Sequence, residues 1–303
     1  MSMRILLPVL CAAVLWGAAP AAQFKASTDL VRVYATVQDK STRLVPDLKQ
    51  EDFVVTDNGK AQPITQFSNE ATPFSVIVML DRSRSMFAHQ FEIRDAAIAF
   101  VLKLMPDDKA RIGSFGDYVG NRVVIRPAAF SSSKEELLEI LRVPIALGQG
   151  SPVYISIDQS ISALSNRDER RVVLIFSDGH DEASSSLMKV EFKDLVSRAR
   201  EASVMVYAIG FTAVRERTGQ APEVTPPDKG LRLLADDTGG GYFDVRDPAE
   251  LSDLFTRVVE ELHRQYFLGF VPPVNDGKTH TIKVTVKKPD LVVRAKQTYV
   301  APK

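Results

Sequence analysis

Three short runs, apolar throughout but for Ser75 and each followed by a helical pattern, constrain this chain more than any other feature. They are 74–80 (FSVIVML), 172–176 (VVLIF) and 204–209 (VMVYAI). A strand that is apolar at every position has no face for water. It belongs inside a parallel sheet covered on both sides. Around these runs the apolar spacing shifts to the helical period, at 91–105 (closed by Pro106), 135–141, 153–164, 187–200, 231–236 and 251–262. Further strands are expected at 242–245, and at 111–115 and 122–126, joined by a turn region with Gly116-Asp117 and Gly120-Asn121. Such alternation predicts an α/β fold over 73–262, a doubly wound, mostly parallel sheet with helices on both faces. The stretch 212–229, with Pro222, Pro226 and Pro227, reads as a surface loop.

The two ends read differently. In 24–70 the run 30–37 alternates at period two, 52–57 leads into Asn58-Gly59, and 64–67 is the expected returning strand. An Asn-Gly pair favours positive φ at both turn positions and signals a hairpin. In 265–303 the run 281–286 alternates cleanly, and 291–295 follows a Pro289-Asp290 turn. Two strands alone are barely stable in water. The N- and C-terminal segments are therefore expected to pack together as one flanking β-sandwich, with the α/β unit inserted between them.

Residues 1–22 read as an export signal. Arg4 is followed by an apolar run over 5–16 and by Ala19-Pro20-Ala21, a small-x-small cleavage pattern. The run is shorter than the roughly 20 residues that a membrane span needs. Cleavage after Ala21 or Ala22 is expected, which leaves no span; a retained anchor is the alternative. Leu10 before Cys11 argues against a lipoprotein. Cys11 is the chain's one cysteine, so the cleaved protein has no disulfide, thiolate site or cysteine nucleophile. Lys plus Arg and Asp plus Glu are balanced at 38 each. That balance supplies no general field for nucleic acid or an anionic membrane, so specificity must be local.

Three separated motifs carry oxygen chemistry. Asp81-Arg82-Ser83-Arg84-Ser85 follows the first apolar strand. Gly148-Gln149-Gly150-Ser151-Pro152 opens the helix at 153. Ser177-Asp178-Gly179 follows the second apolar strand. The candidate metal ligands are Asp81, Ser83, Ser85, Ser151 and Asp178. Carboxylates and hydroxyls are hard ligands, suited to Mg²⁺, with Mn²⁺ or Ca²⁺ next, rather than zinc or copper. If the two strands are neighbours, their carboxyl ends converge where open α/β sheets bind ligands.

These motifs, in this order of strands and helices, resemble the metal-ion-dependent adhesion site (MIDAS) of von Willebrand factor A (VWA) domains. The ends resemble the bacterial exported "VWFA-related" type, through Val45-Pro46-Asp47-Leu48, Asp52-Phe53, Asp57-Asn58-Gly59-Lys60, ADDTGGGY (235–242) and QYFLGF (265–270). The resemblance implies direct ligation by Ser83, Ser85 and Ser151, with Asp81 and Asp178 acting through water or from behind. A carboxylate of a partner protein completes the ion's coordination. Ser151 replaces the usual threonine and keeps the hydroxyl. Arg82 and Arg84 stand where small or neutral residues are common. Either they weaken metal binding by repulsion or they add contacts to an acidic ligand. The last helix, 251–262, resembles the element that shifts in regulated VWA domains.

The expected function is a metal-dependent adhesion or scaffold module, exported to the periplasm, cell envelope or medium, and not an enzyme. The alternative is a metal-independent structural or assembly factor with a degenerate site. Gly-x-Ser-x-Gly is absent. A phosphatase-like use of Asp81 calls for a second aspartate where Ser83 stands. His180, Asp181 and Glu182 read as a polar rim of the metal face. His89, His263 and His280 read as surface or packed residues. The loop 212–229 should lie on the same face as the ion.

Overall fold

The computed structural model describes residues 30–116, 123–143, 150–178, 189–215 and 223–303. The expected export signal, Gly148, Gln149 and residues 180–182 lie outside the described residues. The alternating run after residue 30 forms β1 (Val31–Gln38). Then β2 (Phe53–Asp57) and β3 (Lys60–Gln62) make a hairpin, with Asp57 opposite Lys60. Asn58 at φ 46° and Gly59 at φ 80° supply the two positive angles of a two-residue turn. The returning strand therefore begins at Lys60, not at residue 64 as expected, because the turn reverses the chain at once. Pro63 follows, without an N–H for the ladder. The short strand β4 (Gln66–Ser68) joins a different sheet.

The middle of the chain supplies β5 (Phe74–Asp81), α1 (Gln90–Lys103), β6 (Lys109–Phe115), β7 (Val124–Ser131), α2 (Lys134–Arg142), α3 (Val153–Leu164) and β8 (Arg170–Ser177). It continues with α4 (Phe192–Glu201), β9 (Val204–Phe211), β10 (Ala213–Arg215), β11 (Glu223–Thr225), α5 (Lys229–Thr238), β12 (Tyr242–Val245) and α6 (Leu251–His263). The sheet order is β12-β9-β8-β5-β6-β7, parallel throughout except for β7. Every residue of β5 and β9 is buried. One face packs on Phe100, Leu137 and Phe255 from α1, α2 and α6; the other packs on Ile157, Leu195 and Leu234 from α3, α4 and α5.

Three expectations shift here. α1 stops at Lys103, and Leu104 is already extended at ψ 140°. The Pro106 ring disfavours helical backbone just before it, so the helix ends short of 105. β7 runs on through Pro127 to Ser131. It is the outermost strand, where a missing N–H is tolerated. The expected surface loop after residue 212 contains a small hairpin, with Ala213 opposite Thr225.

The C-terminal segment adds β13 (Tyr266–Phe270), β14 (Thr279–Val286), β15 (Val292–Ala295) and β16 (Thr298–Val300). These strands interleave with the N-terminal ones in two antiparallel sheets, β15-β1-β13-β4 and β16-β14-β2-β3. Val33, Leu268 and Phe270 from one sheet meet Val55 and Ile282 from the other in a shared core. The ends of the chain thus build one sandwich beside the α/β sheet. β14 and β15 do not pair with each other across the Pro289-Asp290 turn, but enter opposite sheets. Two of the resembling end motifs touch. The Tyr266 hydroxyl donates to the Val45 carbonyl at 2.6 Å and accepts from the Leu48 amide at 2.9 Å.

A buried polar network joins the sandwich to the α/β unit. Glu261 on α6 is fully buried and ion-paired to Arg294 on β15. Gln265 Nε2 donates to Thr36 Oγ1 at 2.9 Å, and Arg170 Nη1 donates to Gln265 Oε1 at 2.7 Å. Removing one member of such a buried ion pair costs about 3–5 kcal/mol, because it strands the other charge. No helix among the described residues is long and apolar enough to cross a membrane.

His263 and His280 are packed against other side chains. His263 Nε2 lies 2.6 Å from Asp108 Oδ2 and its ring packs on Phe74. His280 Nδ1 lies 2.9 Å from Asp57 Oδ1, and its Nε2 is 3.2 Å from Asp276 Oδ1. Tyr299 also donates to Asp57, at 3.0 Å. The hydrogen bond and charge of Asp57 raise the His280 pKa above its ordinary 6.5. A raised pKa stabilises the fold fully below the unfolded value, and the gain is lost as pH rises through the folded value. The Tm gap between wild type and His280→Gln should therefore be widest near about pH 6 and shrink towards about pH 9. A gap that widens with pH would contradict this assignment.

Candidate metal centre

β5 and β8 pair in register, with Leu80 beside Phe176, so the next residues, Asp81 and Ser177, end the strands side by side. Ser177 Oγ donates to Asp81 Oδ2 at 2.6 Å. Asp81 Oδ1 accepts from the Ser83 amide at 2.8 Å, which curls the chain back over the strand end. The Ser83 and Ser85 hydroxyls lie 3.0 Å apart, and Ser85 Oγ donates to Asp178 Oδ1 at 3.2 Å. Asp81, Ser83, Ser85 and Asp178 thus form one continuous oxygen cluster drawn from two separated motifs. Ser177, not among the candidates, belongs to the same cluster. Its only sequence signal is that it directly precedes Asp178.

Ser151 is buried, and Gly150 before it has φ 79°. A Cβ added to Gly116 would lie 2.8 Å from the Ser83 amide nitrogen and 3.2 Å from the Gly150 carbonyl oxygen. The Gly150 backbone therefore abuts the same spot as the 81–85 turn. Pro152 precedes α3 as its cap rather than opening it, and Val153 is the first helical residue. A short 3-10 turn over Arg84–His89 links Ser83 to α1. The Arg82 amide donates to the Phe115 carbonyl at 2.9 Å, which ties the turn to the end of β6.

The electrostatics are those of crowded carboxylates. Burial pushes the Asp81 pKa up to about 6; hydrogen bonds from Ser177 and Ser83 oppose this, and the Asp178 charge adds to it. Among the described residues no lysine or arginine pairs with Asp81. Nor do three His, Cys, Asp or Glu side chains converge on one point among them. The donor set is hydroxyls with two carboxylates, which suits a hard ion. An octahedral ion with oxygens at about 2.1 Å needs ligand oxygens roughly 3 Å apart. The 3.0 Å spacing of the Ser83 and Ser85 hydroxyls fits that edge length, and Asp178 accepts from Ser85 behind them at 3.2 Å.

The sequence profile of the von Willebrand factor type A domain matches residues 75–257, more than half of the chain. The chain belongs to this family. A solved von Willebrand factor type A protein from Catenulispora acidiphila is 12% identical, with a TM-score of 0.52 over 92% of this chain and 76% of that one. Proximal thread matrix protein 1 from the mussel byssus, solved with a zinc-occupied MIDAS motif, is 16% identical, with a TM-score of 0.50 over 67% of this chain and 48% of that one. At these identities the likeness is one of fold. No curated protein matches the sequence.

In this VWA domain the two arginines of the motif differ in setting. Arg82 is buried and donates from Nη2 to Gln90 Oε1 at the start of α1, at 3.3 Å. Arg84 is exposed beside Ser85. Phe87 and Phe91, near Arg84 in sequence, are exposed at 60% and 69%, and only Phe91 falls in the helix expected over 91–105.

Gly116 and Gly59 give a matched test of crowding at this site. Both have positive φ, but a Cβ at Gly59 would meet nothing within 4 Å. Gly59→Ala should cost only the backbone strain, about 1–2 kcal/mol. Gly116→Ala should cost at least about 1 kcal/mol more, as overpacking does. Equal losses in urea unfolding would show that the turn is not pressed against the end of β6.

Proposed function

We propose that this protein is an exported binding module that holds one divalent cation at the 81–85 turn and ligates an acidic group of a partner protein through it. The observation that carries the reading is the Ser83 and Ser85 hydroxyl pair at ligand-edge spacing, with the Asp178 carboxylate hydrogen-bonded behind Ser85. Ser83, Ser85 and Ser151 would hold the ion directly, with Asp81 and Asp178 behind them or acting through water. The hard donors favour Mg²⁺, with Mn²⁺ or Ca²⁺ as substitutes. Zinc in the mussel protein supports a metal role for such a motif in this fold. Few anionic ligands would leave the ion electron-poor, so it would attract an outside carboxylate.

The binding unit would be 73–262, carried between 24–70 and 265–303, with 1–22 directing export to the periplasm, cell envelope or medium. Arg84, Phe87 and Phe91 would add contacts to an acidic group that sits next to an apolar one. The reading is one of binding without turnover. A second reading, a metal-independent assembly factor, is favoured by one observation. The Ser177–Asp81 and Ser83–Ser85–Asp178 hydrogen bonds already satisfy one another.

The two readings part under chelation. In verified metal-free protein, Mg²⁺ or Mn²⁺ at a hundredfold over its Kd should add about 2.7 kcal/mol of stability and raise Tm accordingly. Asp81→Ala should abolish the rise. A partner captured from an envelope extract should be released by EDTA and lost with Ser83→Ala. Capture indifferent to both treatments would favour the assembly factor.

A further inference from the structure

At the opposite end of the parallel strands, the α/β unit and the sandwich leave a cleft of about 340 Å³. Arg170 opens β8 and Ser177 closes it. At about 3.3 Å per residue, the cleft is therefore roughly 25 Å from the oxygen cluster. Its volume falls in the range of small-molecule sites, which favour junctions between structural units. The α/β wall includes Arg171 and Ala199; the sandwich wall includes Arg32, Tyr34, Lys296 and Val300.

The charges lining it do not balance locally. Arg200 is matched by Asp237, with contacts of 2.8 and 2.6 Å. Glu169 is held by Lys109 at 2.8 Å and Arg167 at 2.7 Å, and these hold its pKa down at about 2. Asp168 is exposed at the rim. Arg171 bonds only backbone carbonyls, those of Arg167 and Ala202, at 2.8 and 2.6 Å. Arg170 likewise bonds only neutral oxygens, on Gln265, Leu262 and Thr72, and stacks over the Tyr34 ring at 4.8 Å. Arg32 reaches only the Asp168 carbonyl, at 3.5 Å. Lys296 has no hydrogen-bond or ion-pair partner among the described residues. Desolvation pulls its pKa down to about 8.

We infer that this cleft binds a small organic anion, its carboxylate or phosphate meeting Lys296 with Arg32 and Arg171, and its apolar body lying along Tyr34 and Val300. The geometry supports this because Lys296, Arg32 and Arg171 border the same cleft and none forms an ion pair with a carboxylate among the described residues. Lys296, Arg32 and Arg171 line one open volume, and Asp168 at the rim is the one lining carboxylate among the described residues not bound to another side chain. An anion beside the ammonium restores the charge that burial penalises. Apolar lining gives the ligand a body as well as a charge. The site is independent of the metal centre.

The test uses benzoate and phenyl phosphate as probes and benzyl alcohol as the neutral control, by calorimetry and thermal shift on the full chain. At least one anion should bind saturably and raise Tm, while benzyl alcohol at equal concentration does not. Lys296→Met should weaken the anion at least tenfold, and Arg32→Ala should weaken it measurably. Ser83→Ala and EDTA should leave it unchanged, which separates this site from the proposed metal function. Comparison of the two anions reports which head group is preferred. Without ligand, Lys296→Met should melt no lower than wild type, since it breaks no hydrogen bond or ion pair among the described residues. No saturable binding by either anion, equal binding of benzyl alcohol, or binding indifferent to Lys296→Met would overturn the proposal. So would a lower Tm for unliganded Lys296→Met, which would assign the ammonium to the fold.

Discussion

The in-register parallel pairing of β5 with β8 is the constraint on which the rest of the structure depends. Both strands are apolar on both faces, and helices on both sides of the sheet seal them from water. A one-residue slip would reverse every side chain between the two faces. It would also part Asp81 from Ser177. The energy that sets the register is spread along the strands as ordinary core burial, about 25 cal/mol per Å² of apolar surface. The polar cluster at the strand ends inherits its geometry from that packing. This is why two buried, mutually repelling carboxylates can be held close together although no lysine or arginine among the described residues pairs with Asp81.

The sandwich gives the α/β unit its setting. Each sheet takes strands from both ends of the chain, so the inserted unit is closed off by β-pairing. The Glu261–Arg294 pair, Gln265 and Arg170 bind the two bodies through hydrogen bonds that neither could satisfy alone. The same junction leaves the cationic cleft. The molecule therefore has two chemically opposite regions at opposite ends of one sheet. One is oxygen-rich and suited to a hard cation; the other is rich in arginine and lysine and suited to an anion.

Much of this was legible in the sequence, for identifiable reasons. The runs at 74–80, 172–176 and 204–209 have no polar face, and that leaves little but a central parallel strand. Asn58-Gly59 encodes its turn through backbone angles available to few other residues. The candidate ligands Asp81, Ser83, Ser85 and Asp178 are close together because they sit at strand ends that the pattern could locate. Partnering was less legible. Period-two alternation says which face of a strand is buried but not which sheet it joins, so 64–67 and the β14–β15 link were misread. Pro127 hid the length of β7, because proline is tolerated only at an edge, and edges are a property of the sheet. Phe87 and Lys296 gave almost no signal, since their settings arise only when distant segments meet, while Ser177 stands in the motif with Asp178 but was not among the candidate ligands.

The proposed hard divalent ion would sit on the hydroxyls of Ser83, Ser85 and Ser151. Anomalous diffraction from crystals grown with Mn²⁺ tests that placement most directly. The account expects one strong peak bonded to the Ser83 and Ser85 hydroxyls at about 2.1–2.2 Å, weakened or absent in Ser85→Ala crystals. Full occupancy elsewhere, or no peak at the 81–85 turn under saturating Mn²⁺, would contradict it.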